Sequence, residues 1–186
     1  MLKTIDIVLT GRDSGRVVTL TELPALRADA WARAALRALD EDPDDGIIGL
    51  ALEHSDRAQK DEAARTAARA LIRARIGTRP LDLATLQDWR SIFTLQDAVM
   101  LLHAGFVVSR KPTELPITFQ AIAMGDPDDL RPSFCSPLLA TVLQSGRASY
   151  HELDTALSTE DAFNLVELIN LDAYYRWRAA QDQKTT

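Results

Sequence analysis

The junction between a β-prone segment and a helix, from Val17 to Leu39, constrains this chain more than any other feature of its sequence. Val17 to Leu20 is β-prone, and Pro24 suits the first turn of a helix. After Pro24, apolar residues recur at spacings of three and four, the period of one helix face. The pattern predicts a strand followed by an amphipathic helix that ends near Asp40. Its apolar stripe is Ala25, Ala28, Trp31, Ala32, Ala35, Leu36 and Leu39.

A second β-prone segment, containing Ile5, Val8 and Leu9, precedes this junction. The stretch from Gly11 to Gly15 between the two segments is rich in turn formers, so the pattern predicts a β-hairpin. A two-stranded ribbon is marginally stable alone. We therefore expect the hairpin to pack on the helices that follow or to add to a partner's sheet, and its edge is a candidate contact surface.

Length and composition favour one mainly helical domain. The chain has 186 residues, the size of a single domain, and 46% of them are hydrophobic whereas 6% are aromatic. Ala and Leu dominate, which favours helices over sheets. We therefore predict a mainly α fold with a short N-terminal β-hairpin, as a single domain over residues 1–186. Its predicted parts are a hairpin appendage at 1–22, a helical body at 24–181 and a frayed tail at 182–186.

Caps and breakers divide the helical body into further helices. Gly77 predicts the end of an Ala-rich helix. Thr94 predicts the start of another helix and Gly105 its end. Ser158 with Asp161 three residues later predicts the start of the last helix. The predicted spans are 57–76, 81–93, 95–103, a short helix near 117–124 within an otherwise irregular 106–137, 137–143, 149–157, and a last helix from 158 onward.

Charge and cysteine content argue against several classes of protein. The net charge of -6 disfavours nucleic-acid binding, which needs clustered Lys and Arg to neutralise phosphates. The single Cys135 cannot form an intramolecular disulfide, which favours a reducing compartment. The N-terminus has no signal-peptide pattern, and no window approaches the roughly 18 apolar residues that span a bilayer. We therefore expect a cytoplasmic protein without nucleic-acid or membrane partners.

The histidines and the cysteine show no catalytic or metal-binding pattern. His54, His103 and His151 are far apart, and none has a metal-ligand spacing with another histidine or with Cys135. The glycine-rich turn at 11–15 lacks the strand-to-helix context and the Gly-Lys-Ser or Gly-Lys-Thr ending of a phosphate loop. We predict no catalytic residue, no metal and no cofactor. A pair between Cys135 and His103 or His151, formed by folding, is the alternative.

Two stretches of the chain carry a family resemblance. The first is Leu20-Thr21-Glu22-Leu23-Pro24-Ala25, which leads into Ala30-Trp31-Ala32-Arg33-Ala34-Ala35-Leu36. The second is Leu157-Ser158-Thr159-Glu160-Asp161, followed by Glu167 and by Asn170-Leu171-Asp172-Ala173-Tyr174-Tyr175. These stretches resemble the tail assembly chaperone family of long-tailed phages and their prophage relatives.

The resemblance implies a non-enzymatic helper that binds the tape measure protein during tail building and is absent from the finished virion. It also implies a longer product, made by ribosomal frameshifting, whose extension recruits tail tube protein. A tape measure protein is long, helical and rich in apolar stripes, which would associate before tube subunits enclose them. A helical protein in the host cytoplasm could cover those stripes by helix-in-groove packing.

The predicted contacts lie on the hairpin edge and on the exposed parts of the first and last helices. Aromatic residues of these helices are the candidate anchors, because aromatic residues carry a large share of interface energy. Two alternatives stay open. One is another phage morphogenesis protein, either a tail completion or a head-tail joining factor, and the other is a small enzyme with a site around Cys135. The candidate partner-binding residues are Trp31, Leu36, Tyr174, Tyr175 and Trp177.

Overall fold

The computed structural model describes residues 2–41, 74–82, 85–111, 113–116, 119 and 132–184. The fold is mainly α with a small antiparallel sheet near the N-terminus, which confirms the predicted fold class. The strands are β1 (Thr4–Val8), β2 (Val17–Thr21), β3 (Ala74–Ile76) and β4 (Arg79–Pro80), and a 3-10 turn lies at Gly11–Asp13. The helices are α1 (Ala25–Glu41), α2 (Trp89–Ser109), α3 (Pro137–Gln144), α4 (Tyr150–Thr155) and α5 (Thr159–Lys184).

The sheet extends the predicted hairpin by two short strands. Its order is β1-β2-β3-β4, and each neighbouring pair is antiparallel. Ile5 lies opposite Leu20, and Ile7 lies opposite Val18. Alternate residues of a strand share one face, so these four side chains form the face that packs on the helices. The third strand joins where Ala74 pairs with Leu20.

The end of the predicted 57–76 helix is wrong, because residues 74–76 form β3. Gly77, at φ 58°, turns the chain into β4 instead of ending a helix. A glycine at positive φ serves equally in a helix end and in a tight hairpin turn. The pairing of Ala74 with Leu20 of β2, which local sequence does not reveal, decides between them. The rest of that predicted helix, 57–73, lies outside the described residues.

A single helix, α2, replaces the two that were predicted at 81–93 and 95–103. It begins after Asp88, whose carboxylate caps it by accepting the Arg90 N–H at 3.1 Å. Thr94 starts no helix, since its hydroxyl donates to the Arg90 carbonyl one turn back at 3.0 Å. Gly105 lies inside α2, and residues 106–109, predicted as irregular, are helical too. A buried face carries the helix past Thr94, and beyond Gly105 the Phe106 ring packs 5.4 Å from the Phe163 ring, because packing outweighs local propensity.

Local capping sequences set the starts of the last three helices, as predicted. Ser136 is the N-cap residue of α3. Ser149 and Glu152 form a reciprocal capping box at the start of α4. At the start of α5, the Ser158 N–H donates to the Asp161 carboxylate at 3.0 Å, and the Asp161 N–H donates to the Ser158 hydroxyl at 3.1 Å. These contacts satisfy backbone donors that a helix start leaves unpaired.

Helix α1 joins two buried clusters. It contributes Ala28 to a first core cluster between the sheet and α2, and Ala25 and Leu26 to a second core cluster among α1, α3, α4 and α5. Helix α1 therefore couples the sheet to the last three helices. The first core cluster is Leu9, Val18, Leu20, Leu23, Ala28, Ala74, Leu95, Ala98, Val99 and Leu102. The second core cluster is Ala25, Leu26, Cys135, Leu139, Ala140, Val142, Ala148, Leu153 and Ala162.

The hairpin turn docks on the start of α2 through Asp13, which is 2% exposed. Its carboxylate accepts the Gln87 and Asp88 N–H groups at 3.1 and 3.0 Å and the Ser91 hydroxyl at 2.8 Å. The Arg16 guanidinium donates to it at 3.0 Å. Desolvation acts to raise the pKa of Asp13, but the hydrogen bonds outweigh it and hold the pKa below its ordinary value. The glycine-rich turn is therefore a docking element.

Gly11→Ala is expected to destabilise the fold more than Gly15→Ala. The two glycines have φ values of 66° and 83°, so both substitutions strain the backbone by about 1 kcal/mol or more. At Gly11 a Cβ would also lie 2.1 Å from an oxygen of Asp88, whereas nothing lies within 4 Å at Gly15. Chemical denaturation should show a loss of about 2–3 kcal/mol for Gly11→Ala and about 1 kcal/mol for its control. Equal losses would contradict the close approach of Asp88.

Candidate interaction surface

Helix α2 is apolar on two opposite sides. One side, which includes Leu95, Val99 and Leu102, is buried in the first core cluster. On the other side Leu101 is 70% exposed and Val108 is 92% exposed. A surface helix ordinarily pairs an apolar side with a polar one. Covering the second apolar side of α2 with another molecule would therefore be favourable, because it removes apolar surface from water.

This exposed side forms a continuous patch, which we name the α2 outer face. Its residues are one, three and four positions apart, so they share one side of the helix over about 12 Å of its axis. Full burial of one such Val, Leu or Met side chain contributes about 1.5–3 kcal/mol relative to exposure. Covering the patch would thus contribute several kcal/mol. The α2 outer face consists of Met100, Leu101, Ala104, Val107 and Val108, whose four larger side chains are 41–92% exposed.

Two more residues lie on the same side of α2, nearer its start. Phe93 is 52% exposed, and Asp97 is exposed as well. Asp97 therefore places a negative charge beside the apolar patch. A partner helix with a basic residue at that level would match this charge.

Three of the five predicted partner-binding residues lie together on α5. The Tyr174 ring is 5.5 Å from the Phe119 ring, and the Trp177 ring is 5.8 Å from Phe119 and 5.9 Å from Tyr174. The Tyr175 ring lies 5.6 Å from Tyr174, and this side chain is 61% exposed. Phe119, the one described residue of the predicted 117–124 helix, is helical and buried. These four residues form an aromatic cluster that presents Tyr175 to solvent.

The other two predicted residues are placed differently. Trp31 is partly buried and packs against the first core cluster. Its replacement would therefore reduce packing in the fold, whatever it did to a partner contact. The side chain of Leu36 lies outside the described residues. Helix α5 continues to Lys184, so residues 182–184 of the predicted frayed tail are helical.

The α2 outer face was missed by the sequence analysis. A second set of apolar residues at helical spacing was visible, with Leu101, Val107 and Val108 beside the set at 95, 98, 99 and 102. Treating Thr94 and Gly105 as helix boundaries divided that pattern between separate segments. Phe119 falls in the predicted short helix near 117–124, but it was not singled out as a contact residue, because its aromatic partners Tyr174 and Trp177 lie far along the chain on α5.

The segment after α2 is fastened to α5 by Arg110. Its guanidinium donates to the Asn164 side chain at 2.7 Å, to the Phe163 carbonyl at 3.2 Å and to the Glu167 carboxylate. Glu167 also accepts the side chain and the N–H of Thr113, and these bonds, with Arg110, hold its pKa below the ordinary value. The charged groups here are therefore already paired with each other.

A cleft of about 140 Å³ lies beside this fastening. Its apolar lining includes Leu115, Val166 and Leu171. Sites for drug-sized ligands are about 300–1,000 Å³, so this cleft has room for a single side chain rather than for a cofactor. It lies where the chain after α2 meets α5, and none of the residues that line it belongs to the α2 outer face.

The proposed pair of Cys135 with His103 does not form. Cys135 is buried in the second core cluster, and burial raises the pKa of its thiol, with the nearby Asp29 carboxylate adding to the effect. Both ring nitrogens of His103 have other partners, the Leu23 N–H at 2.9 Å and the Val99 carbonyl at 2.8 Å. His151 is exposed on α4, and His54 lies outside the described residues. Cys135 is placed as a small core residue.

The part of the chain that the structure describes holds neither a metal-binding cluster nor a membrane-spanning helix. There, no three His, Cys, Asp or Glu side chains are grouped to hold a metal ion. None of the helices in the same ranges is both long and apolar enough to cross a bilayer. Comparisons of the chain with protein-family models, with curated proteins and with solved structures gave no match. Function must therefore be argued from the surfaces themselves and from the family resemblance.

Proposed function

We propose that this chain is a non-enzymatic phage tail assembly chaperone, which binds the tape measure protein and keeps it soluble while the tail tube is built. The α2 outer face is the observation that carries the proposal. It is an apolar helical surface on the outside of a folded domain, and an amphipathic helix of a partner is the kind of molecule that such a surface binds. The resemblance of the 20–36 and 157–175 stretches supplies the identity of that partner.

Binding would work by packing a partner helix along α2. Leu95, Val99 and Leu102 hold α2 on the sheet, so the α2 outer face is ordered before a partner arrives and little entropy is lost there on binding. An apolar stripe of the tape measure protein would pack over Leu101 and Val108. The net charge of -6 keeps the complex soluble. A contact of one helix face is small, so polymerising tube subunits can displace it.

The proposal places the protein in the host cytoplasm during assembly and outside the mature virion. A longer product, made by frameshifting, would recruit tail tube protein through its extension while α2 holds the tape measure protein. Mass spectrometry of purified virions tests this placement, and absence of the chain is the expected result. A stoichiometric copy in the particle would instead identify a tail completion or head-tail joining protein.

The double variant Leu101→Glu/Val108→Glu is expected to fold normally and to lose tape measure binding. Both side chains are largely exposed, so the substitutions cost little folding stability, but they place two charges inside the proposed contact. With the tape measure protein of the same phage co-expressed, the wild type should keep it soluble and co-purify with it. The variant should leave it insoluble, with affinity lower by about 100-fold or more.

The matched control for charge is Gln144→Glu/His151→Glu. It makes two substitutions to glutamate at exposed positions of α3 and α4, and it should keep the tape measure protein as soluble as the wild type does. Tyr175→Ala tests the aromatic cluster of α5 separately. Retained binding by the α2 variant, or an equal loss in the charge control, would overturn the role of the α2 outer face. Loss with Tyr175→Ala alone would move the contact to α5.

A further inference from the structure

No strand among the described residues pairs with the outer edge of β1. In the described sheet β1 stands at the end of the strand order and pairs with β2 on one side. The Leu9 N–H donates to the Arg16 carbonyl at 2.9 Å, which places Leu9 among the residues that bond toward β2. Because bonding directions alternate along an antiparallel strand, the backbone groups of Thr4, Asp6 and Val8 point the other way, toward the edge.

The side chains around this edge are incompletely covered. Ile5 and Ile7 lie on the core side of β1 and pack against the first core cluster, yet both are only partly buried. On the opposite side Thr4 and Asp6 are exposed, and Val8 is 62% exposed. Edge strands are commonly protected by proline, by a bulge or by charged side chains. The register of β1 is uninterrupted, none of its residues is proline, and its one charged side chain is Asp6. An added strand would complete the burial of Ile5 and Ile7.

Asp6, at the middle of β1, decides which strand fits. The Thr19 hydroxyl donates to its carboxylate at 2.6 Å, which holds the carboxylate on the outer side of the sheet. A second copy of β1, paired antiparallel about this position, would set two Asp6 side chains directly opposite each other, and like charges there are destabilising. A strand with Lys or Arg opposite Asp6 would instead gain a favourable cross-strand pair.

We infer that the β1 edge binds an extended segment of a partner protein, with a basic residue opposite Asp6 and an apolar residue on each side of it. The basic residue pairs with Asp6 across the strands, and the apolar residues cover Ile5 and Ile7. The segment adds a strand to the sheet by main-chain hydrogen bonding to Thr4, Asp6 and Val8. This site is separate from the α2 outer face and does not depend on the proposed chaperone function.

Two short peptides test the inference, acetyl-Thr-Ile-Lys-Val-Thr-amide and its twin with Glu in place of Lys. Each is titrated into the full chain and followed by NMR, through the amide shifts and hydrogen exchange of Thr4, Asp6 and Val8. The Lys peptide should slow exchange at these three amides and bind roughly fivefold tighter than the Glu peptide. No change at these amides, or equal binding of the two peptides, would overturn the inference.

Two substitutions make the test specific to the edge. Val8→Pro removes an N–H that points away from β2, so it should abolish peptide binding while the β1–β2 ladder stays intact. Asp6→Lys should reverse the preference, so that the Glu peptide binds tighter than the Lys peptide. This second variant still tests the inference if Val8→Pro lowers the melting temperature too far for binding to be measured. An unchanged preference in Asp6→Lys would contradict the charge pairing.

Other occupants of the edge would be recognised in the same experiments. The free wild type should sediment as a monomer. A dimer that Val8→Pro dissociates would mean that a second copy of the chain occupies the β1 edge. The Thr4, Asp6 and Val8 amides should exchange rapidly without peptide. Slow exchange in a free monomer would mean that another segment of this chain covers the edge, and either result would overturn the inference.

Discussion

Asp13→Ala is expected to lower the melting temperature by roughly 10 °C, because it removes the group that joins the hairpin turn to α2. The substitution would leave the Gln87 and Asp88 N–H groups and the Ser91 hydroxyl without their acceptor. Buried donors without a partner are costly, and more so where they were bonded to a charged acceptor. The carboxylate also lies at the N-terminal end of α2, where negative charge is favourable.

The Asp13 experiment has a matched control in the same hairpin. Asp6→Ala removes an exposed carboxylate with one hydrogen bond, from Thr19, and its melting temperature should stay within about 2 °C of the wild type. Limited trypsin digestion should cut Asp13→Ala faster after Arg12 and Arg16, since the turn detaches from α2. If both variants melt alike and the turn stays resistant, the hairpin is held by the first core cluster alone.

The same carboxylate makes the docking sensitive to strong acid. The pKa of Asp13 is lower in the folded chain than its ordinary value of 3.8. A lowered carboxyl pKa contributes stability that is complete above the ordinary value and is lost as pH falls through the folded-state pKa. Asp13→Ala should therefore differ most from the wild type near neutral pH, and the two melting temperatures should converge in strong acid.

Features specified by neighbouring residues could be predicted from the sequence. Ser158 with Asp161 needs a partner only three residues away, and this capping arrangement occurs as predicted. The helix predicted from residue 149 starts there too, with Ser149 and the equally local Glu152 as its capping box. The turn at 11–15 was predicted from its turn formers for the same reason. Apart from Arg16, the partners of Asp13 could not be predicted, because they lie 74 to 78 residues along the chain.

The errors in the predicted helix boundaries arose at residues that suit two different local structures. Gly77 fits a helix end or a hairpin turn, and only the distant pairing of Ala74 with Leu20 selects the turn. Thr94 fits an N-cap or a helix interior, where its hydroxyl bonds to the preceding turn. In each case tertiary packing makes the choice, and a single sequence carries no record of that packing.

For the candidate site too, the sequence identified some residues, and the role of others depends on tertiary packing. Tyr174, Tyr175 and Trp177 were singled out because aromatic residues dominate interfaces, and their shared helix brings them together. Trp31 had the same chemistry, but the structure packs it against the first core cluster. The second apolar set of α2 was visible in the sequence once the helix is taken as continuous, but only exposure in the fold shows which of the two sets faces outward.

His103 makes the contact between α2 and the segment just before α1 sensitive to mild acid. The Leu23 N–H donates to its Nε2 at 2.9 Å, so Nδ1 carries the proton and donates to the Val99 carbonyl at 2.8 Å. Both nitrogens are thus satisfied in the neutral ring. A second proton on Nε2 would face the Leu23 N–H and break that bond. Burial lowers the pKa of His103 below its ordinary value of 6.5, although the bond to Val99 opposes the effect.

Stability is therefore expected to fall as pH drops below 6.5, the ordinary histidine pKa. Below that value the unfolded chain binds a proton that the folded chain does not, so the free energy of unfolding decreases with a slope of up to about 1.4 kcal/mol per pH unit. The stabilisation is complete above 6.5 and is lost toward the lowered folded-state pKa. Denaturation between about pH 7.5 and about pH 5.5, where histidine is the main titrating side chain, measures the slope.

His103→Gln separates this histidine from the other titrating groups. Glutamine offers an oxygen that can accept the Leu23 N–H but does not titrate, so the variant should lose most of the pH dependence and keep most of its stability at pH 7.5. His151→Gln, at an exposed histidine on α4, should retain the wild-type slope. If the slope survives in His103→Gln and disappears in His151→Gln, the acid sensitivity does not arise at the contact between His103 and Leu23. The His103 ring would then be protonated alike in the folded and unfolded chains.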